Sequence, residues 1–193
     1  IKLQKDKNFI GGAIAHPYKK EIKKLLKSNI SEKVKKIGSV NCIFRDKNKR
    51  LFGINTDGEA SLLSFEQKFG KIKNKKIVLF GLGGAGTAVA TYFSNLKNSK
   101  LTCISRKKSD VIFCKKIKAQ WVNLKFADQH IIDSDILINC TNLGADFKKN
   151  YMIVKKNLLS NLNKKTVIYD IIYNPQETLL IKEAKKFNLL TLN

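Results

Sequence analysis

Arginine is scarce in this chain of 193 residues. Of 38 basic side chains, only Arg45, Arg50 and Arg106 carry a guanidinium. Nucleic-acid readers lean on arginine for bidentate contacts and on interleaved aromatics for stacking. Here the lysines are instead scattered, as in Lys19-Lys20, Lys23-Lys24, Lys35-Lys36, Lys75-Lys76 and Lys185-Lys186, mostly on outer helix faces. Acidic residues are also few, 15 in all, which leaves a formal net charge of +23. The abundance of Lys, Asn and Ile reads as an AT-rich coding bias, so nucleic acid is not the expected partner. Such charge favours small anionic ligands and salt-sensitive association.

Long apolar runs are missing too. No stretch approaches the roughly 18 to 20 residues of a membrane span, so no membrane partner is expected. The first residues, Ile1-Lys2-Leu3-Gln4-Lys5, show neither a starting methionine nor a signal-peptide profile, and read as the interior of a longer protein. The four cysteines, Cys42, Cys103, Cys114 and Cys140, have no metal-ligand spacing and no disulfide-scaffold density. Cys103 and Cys140 fall in apolar runs and read as small core residues. A reducing cytoplasm fits this pattern, and no metal site is expected.

What is present is 43% hydrophobic content, enough for one large domain or two small ones. A basic amphipathic helix runs from Pro17 to about Lys27, with Ile22, Leu25 and Leu26 on its apolar side. Val40–Phe44 and Arg50–Ile54 form a predicted hairpin around Asp46-Lys47-Asn48-Lys49. Asp57-Gly58 opens a helix to about Phe69, where an aspartate suits the orphan backbone N–H groups. Gly70–Lys76 connects to a second unit. Its predicted strands are Ile77–Phe80, Leu101–Ser105, Trp121–Leu124, Ile136–Cys140 and Val167–Ile172. Predicted helices lie near Ala85–Leu96, Asp110–Ile117 and Glu177–Phe187. The expected class is α/β: a partial α/β unit over 1–70, then a doubly wound parallel sheet of Rossmann type over 71–193.

The second unit opens on Gly81-Leu82-Gly83-Gly84-Ala85-Gly86, between a buried-type strand and a helix. Glycine is needed where backbone meets pyrophosphate, so these residues read as a dinucleotide cradle. Glycines also make ordinary strand-to-helix turns; the flanking elements favour binding. An NAD binder places an acid at the end of the next strand to hold the ribose hydroxyls. This chain has Ser105-Arg106-Lys107-Lys108 there, which favours a 2′-phosphate and hence NADP(H). Lys107 and Lys108 also suit an ordinary lysine-rich loop; Arg106, one of three arginines, is harder to dismiss. Thr141-Asn142-Leu143-Gly144 follows a strand and faces either the ligand crevice or nothing.

Ahead of the cradle, Lys19 ends the segment Gly11–Lys19, and Asp57 sits in Asn55-Thr56-Asp57-Gly58. A lysine and an aspartate upstream of a nucleotide turn point to proton transfer coupled to hydride transfer. Lys20 is the nearest rival of Lys19, and Asp57 also suits a plain helix cap. His16, ahead of a proline, reads as a pocket-wall or packing residue, and His130 has no evident partner.

Taken together, these segments resemble the shikimate/quinate dehydrogenase family. That family carries Asn-Val-Thr-x-Pro-x-Lys, x-Gly-Ala-Val-Asn-Thr, Asn-Thr-Asp-Gly, Gly-x-Gly-Gly-Ala, an Asn-Arg-Thr-type clamp and Asp-x-x-Tyr-x-Pro-x-x-Thr. Here they read Ala13–Lys19, Ile37–Cys42, Asn55–Gly58, Gly81–Ala85, Ser105–Lys107 and Asp170–Thr178, in the same order and spacing. The resemblance implies reversible NADPH-dependent reduction of a ring ketone, with Lys19 and Asp57 as catalytic pair. It implies that Asn41 and Tyr173 reach the substrate's hydroxyls. It implies that the glycine turn, Ser105, Arg106, Lys107, Thr141 and Ile171 line the cofactor, and that Glu32 falls where the family sometimes has a cofactor-side acid. Ala13 and Ala15 depart from the family's Asn and Thr. The family's opening serine pair and closing glutamine helix are not found between Ile1 and Asn193, which implies a chain shortened at both ends.

Overall fold

The computed structural model describes residues 5–193. Two sheets form; they contain the predicted strands and two that the apolar pattern does not mark, Gly11–Ala13 and Leu190–Leu192. In the first, β1 (Gly11–Ala13) pairs antiparallel with β2 (Cys42–Arg45), which pairs antiparallel with β3 (Leu51–Ile54). Between β1 and β2 lie α1 (Lys19–Leu26) and α2 (Glu32–Ile37). Ser31 caps α2 by accepting from the Val34 amide at 3.3 Å, and Gly38 ends it at φ 87°. Leu26, Ile30, Val34, Val40, Ile43 and Leu51 close a small core between these elements.

The helix α3 (Asp57–Phe69) leaves this sheet and packs against the second one. Its Phe65 is buried, with a T-shaped contact to Phe93 at 6.2 Å between ring centroids. Gly58 allows the close crossing: a Cβ there would run into the Ala88 carbonyl.

The rest of the chain alternates: β4 (Lys76–Phe80), α4 (Gly84–Phe93), β5 (Lys100–Ser105), α5 (Asp110–Lys116), β6 (Gln120–Asn123), α6 (Asp128–Ile132), β7 (Ile136–Asn139), α7 (Lys156–Ser160), β8 (Val167–Asp170), α8 (Leu179–Lys186) and β9 (Leu190–Leu192). All six strands are parallel, in the order β6-β5-β4-β7-β8-β9. The expected doubly wound sheet is therefore present. Apolar strands such as Val78–Phe80 and Leu137–Ile138 are buried on both faces, as helix-covered parallel strands must be. Cys103 and Cys114 are buried in this core and Cys140 is half-buried. No helix among the described residues is long and apolar enough to cross a membrane.

Successive strands are added on one side of β4 up to β6 and on the other side from β7 onward, and ligands of such sheets bind beyond the carboxyl ends at that switch point. Register fixes what gathers there. Phe80 lies beside Ile104 and Asn139, and Asn139 lies beside Asp170. The next residues of each strand, including Gly81, Ser105, Cys140 and Ile171, consequently share one edge.

Candidate active site

The glycine turn is shaped by what cannot fit in it. Gly81 has φ 88°, in the left-handed region, and its Cβ would lie 2.9 Å from the Thr141 methyl. A Cβ on Gly86 would run into the Gly81 carbonyl. Around Gly83, by contrast, a Cβ would meet nothing within 4 Å. Gly83 is also the N-cap of α4 and no side chain caps that helix. Open space before uncapped amides suits an anionic group. The cradle therefore fits a dinucleotide diphosphate.

Three loops frame it. Ser105 ends β5, and its Oγ accepts from the Trp121 indole N–H at 2.9 Å. Arg106 and Lys107 are exposed and, among the described residues, form no ion pair. Their free charge fits a 2′-phosphate. At the end of β7 the Thr141 hydroxyl donates to Asn139 Oδ1 at 2.7 Å and accepts from the Leu143 amide at 3.1 Å. Asn139 in turn donates to Asp170 Oδ1 at 3.1 Å, while the Thr178 hydroxyl donates to Asp170 Oδ2 at 2.7 Å. This buried relay ties the loop at Thr141 to the loop that begins at Ile171. Burial pushes the Asp170 carboxyl up; bonds from Thr178, the Ile172 amide and Asn139 oppose it. Burial also pushes the Cys140 thiol well up, with Asp170 and Asp57 adding to it.

The small lobe supplies the other wall. Lys19 begins α1, and its Nζ lies 2.6 Å from Asp57 Oδ2. Asn41 Nδ2 donates to Asp57 Oδ1 at 2.7 Å and to Thr56 Oγ1 at 3.0 Å. Both carboxylate oxygens are thus occupied from outside the helix. Asp57 makes no side-chain cap, contrary to the expectation from its helix-start position. The pair is only partly exposed, 17% for Lys19 and 22% for Asp57, so solvent screening is reduced but not removed.

The lobes meet directly at the turn. Ser39, fully buried, donates its hydroxyl to the Gly84 carbonyl at 2.6 Å. Asn55 donates to that hydroxyl at 3.1 Å and accepts from the Asp57 amide at 3.0 Å. Lys20 Nζ donates to the Leu82 carbonyl at 2.9 Å. Sequence reasoning about roles passes over Ser39 and Asn55, although both lie inside the motifs that point to Asn41 and Asp57.

Lys19, Asp57 and Asn41 come together; Tyr173 does not join them. It is 89% exposed and lies in a shallow cleft with Lys68, Gln176 and Glu177. Glu32 pairs with Lys35 on the surface. His16 is exposed, not packed, and His130 borders a cleft with Lys108, Trp121 and Phe126. Among the described residues no group of acidic, His and Cys side chains could hold a metal.

A glycine turn at the switch point of a doubly wound sheet, with free cations at the neighbouring strand end, defines a dinucleotide-binding protein of the Rossmann class. The family model described as shikimate / quinate 5-dehydrogenase matches residues 64–191. A shikimate dehydrogenase (NADP(+)) of Methanocaldococcus jannaschii is 34% identical over 96% of this chain and 66% of its own length. That of Methanococcus maripaludis strain C7 is 35% identical, over 97% of this chain and 70% of its own. A crystal structure of a shikimate dehydrogenase in complex with NADP+ superposes with TM-score 0.85 at 30% identity, covering all of this chain and 70% of that one. The chain belongs to the shikimate/quinate 5-dehydrogenase family. It spans about two thirds of the length of these relatives.

Proposed function

We propose that this chain carries out the shikimate dehydrogenase reaction, reversible NADPH-dependent reduction of 3-dehydroshikimate to shikimate in chorismate and aromatic amino-acid biosynthesis. The observation that carries this reading is the Lys19 ammonium held 2.6 Å from Asp57, on the lobe that stands over the glycine turn. NADPH supplies the hydride when bound. As the ketone oxygen gains negative charge, Lys19 stabilises it and donates the proton. Asp57 orients the ammonium, and Asn41 fixes Asp57 while reaching toward a ring hydroxyl.

On the cofactor side, Gly81, Leu82, Gly83, Gly84, Ala85 and Gly86 take the diphosphate. Ser105 positions the clamp, Arg106 and Lys107 take the 2′-phosphate, and Thr141 and Ile171 border the nicotinamide end. Residues 1–70 form the substrate unit and 71–193 the cofactor unit. Four free cysteines suit a reducing cytoplasm.

Ala13 and Ala15 favour a second reading, oxidation of quinate or a related polyol acid, because the family's threonine hydroxyl is missing at Ala15. NADPH absorbance in the presence of 3-dehydroshikimate or 3-dehydroquinate separates the two. Consumption with the first substrate alone supports the main reading, and with the second alone the other. Binding of NADPH with no turnover on either defeats both and leaves a non-catalytic NADP(H)-binding protein.

A further inference from the structure

Asn55 is buried at the seam of the two lobes, and each half of its amide faces a different partner. Its Nδ2 lies 3.1 Å from both the carbonyl oxygen and the hydroxyl of Ser39. Its Oδ1 accepts from the Asp57 amide at 3.0 Å. Turning the amide over would set oxygen against the Ser39 carbonyl and N–H against N–H, so its partners fix its orientation. We infer that Asn55 is a positioning residue for the proposed reaction: it holds Lys19 and Asp57 as a pair and sets that pair against the glycine turn.

This rests on the proposed assignment of Lys19 and Asp57 to proton transfer. On one side Asn55 grips the amide of Asp57 itself, the residue whose carboxylate meets Lys19 at 2.6 Å. On the other side it grips Ser39, and the next residue, Val40, donates its amide to the Lys19 carbonyl at 2.8 Å. Asn41, one further on, donates to Asp57 Oδ1. The segment Ser39–Asn41 therefore touches both members of the pair, and Asn55 pins its first residue to the start of α3. A further contact faces the cradle: the Ser39 hydroxyl that accepts from Asn55 donates to the Gly84 carbonyl at 2.6 Å. Leaving any of these buried groups unpaired is costly, so the set holds together as a unit. Buried as it is, Asn55 acts on the reaction through these neighbours.

Asn55→Ala removes both grips. Asn55→Thr, of similar volume, keeps an oxygen for the Asp57 amide but loses the donors to Ser39, and it carries the test if the alanine variant does not fold. Two measurements are made on the full chain, with thermal melts beside them. The first is acylation of Lys19 by acetic anhydride, read by peptide mass spectrometry against Lys24 as internal standard. An ammonium held on a carboxylate is shielded, so Lys19 labelling should rise by about twofold to fivefold, the range of a partly exposed ion pair. The second is a single turnover of the NADPH-loaded protein with 3-dehydroshikimate. Its rate constant should fall by about 10- to 100-fold, while its amplitude and the NADPH Kd change by less than about twofold. A merely structural role would lower amplitude and Tm, and leave rate constant and labelling as in the wild type. Where the wild type turns over, the inference needs both changes, and either alone overturns it. If the wild type does not reduce 3-dehydroshikimate, that failure falls on the proposed function, and labelling decides by itself whether Asn55 holds the pair.

Discussion

Gly84 and Lys19 leave no room between them for another side chain: a Cβ on Gly84 would lie 2.7 Å from Lys19 Cβ and 3.1 Å from its Cδ. The turn proposed to cradle the cofactor and the stem of the proposed proton donor are therefore one packed unit. Alanine is favoured over glycine inside a helix by about 1 kcal/mol, so Gly84→Ala should fold. It must displace α1, since the obstacle is the root of the lysine and not its flexible end. We expect kcat to fall by about 10- to 100-fold, as a displacement near 1 Å of a reacting group produces. Steady-state kinetics beside a melting curve check it; unchanged turnover would show that Lys19 need not sit where the turn holds it.

Ser39 performs a related task from inside the interface. Its buried hydroxyl serves the Gly84 carbonyl and the Asn55 amide together. Ser39→Ala leaves both less well satisfied, at a cost of about 1–3 kcal/mol. For a chain of this size Tm should drop by roughly 2–4 °C for each kcal/mol. An unaltered Tm in calorimetry would mean that water replaces the hydroxyl.

Asp170 makes stability depend on pH in a definite direction. Burial raises its carboxyl above the ordinary aspartate value, with bonds from Thr178, the Ile172 amide and Asn139 opposing. A raised folded-state value means the folded form binds the proton more tightly than the unfolded chain. Its contribution is then fully present below the unfolded value near 3.9 and is lost as pH rises through the folded one. Asp170→Asn cannot ionise, and its altered hydrogen bonds give an offset independent of pH. The stability of the variant relative to wild type should therefore rise as pH climbs from the unfolded value near 3.9 through the raised folded one. Denaturant titrations at several pH values check this, and a gap that stays flat or narrows contradicts it.

Much of the sheet is legible from sequence because its strands are buried on both faces and read as short apolar runs bounded by lysine or glycine. The α3 bounds, Asp57 and Phe69, follow from a helix-start aspartate and the terminating Gly70. What stays hidden depends on pairing or on brevity. Gly11–Ala13 has no strand propensity and becomes β1 only by pairing with Cys42–Phe44. Glu32–Ile37 is too short for a helical period, and its only local marks are Ser31 and Gly38. The site divides in the same way. Lys19, Asn41 and Asp57 stand out through motif spacing. Nothing local shows that Asp57 gives its oxygens to residues 38 and 16 positions upstream instead of to its own helix. Lys20 shows in the sequence only as a rival of Lys19, and its contact with the Leu82 carbonyl comes from the fold.

The central claim is that Lys19 handles the proton while the cradle holds NADPH independently of it. Lys19→Ala tests this most directly, with kcat for 3-dehydroshikimate reduction and the NADPH Kd measured on the same preparation. The account predicts a fall in kcat of at least about 100-fold, the typical worth of a positioned general acid, with Kd changed by less than about twofold. Turnover that survives the substitution, or cofactor affinity that collapses in parallel with it, would contradict the claim.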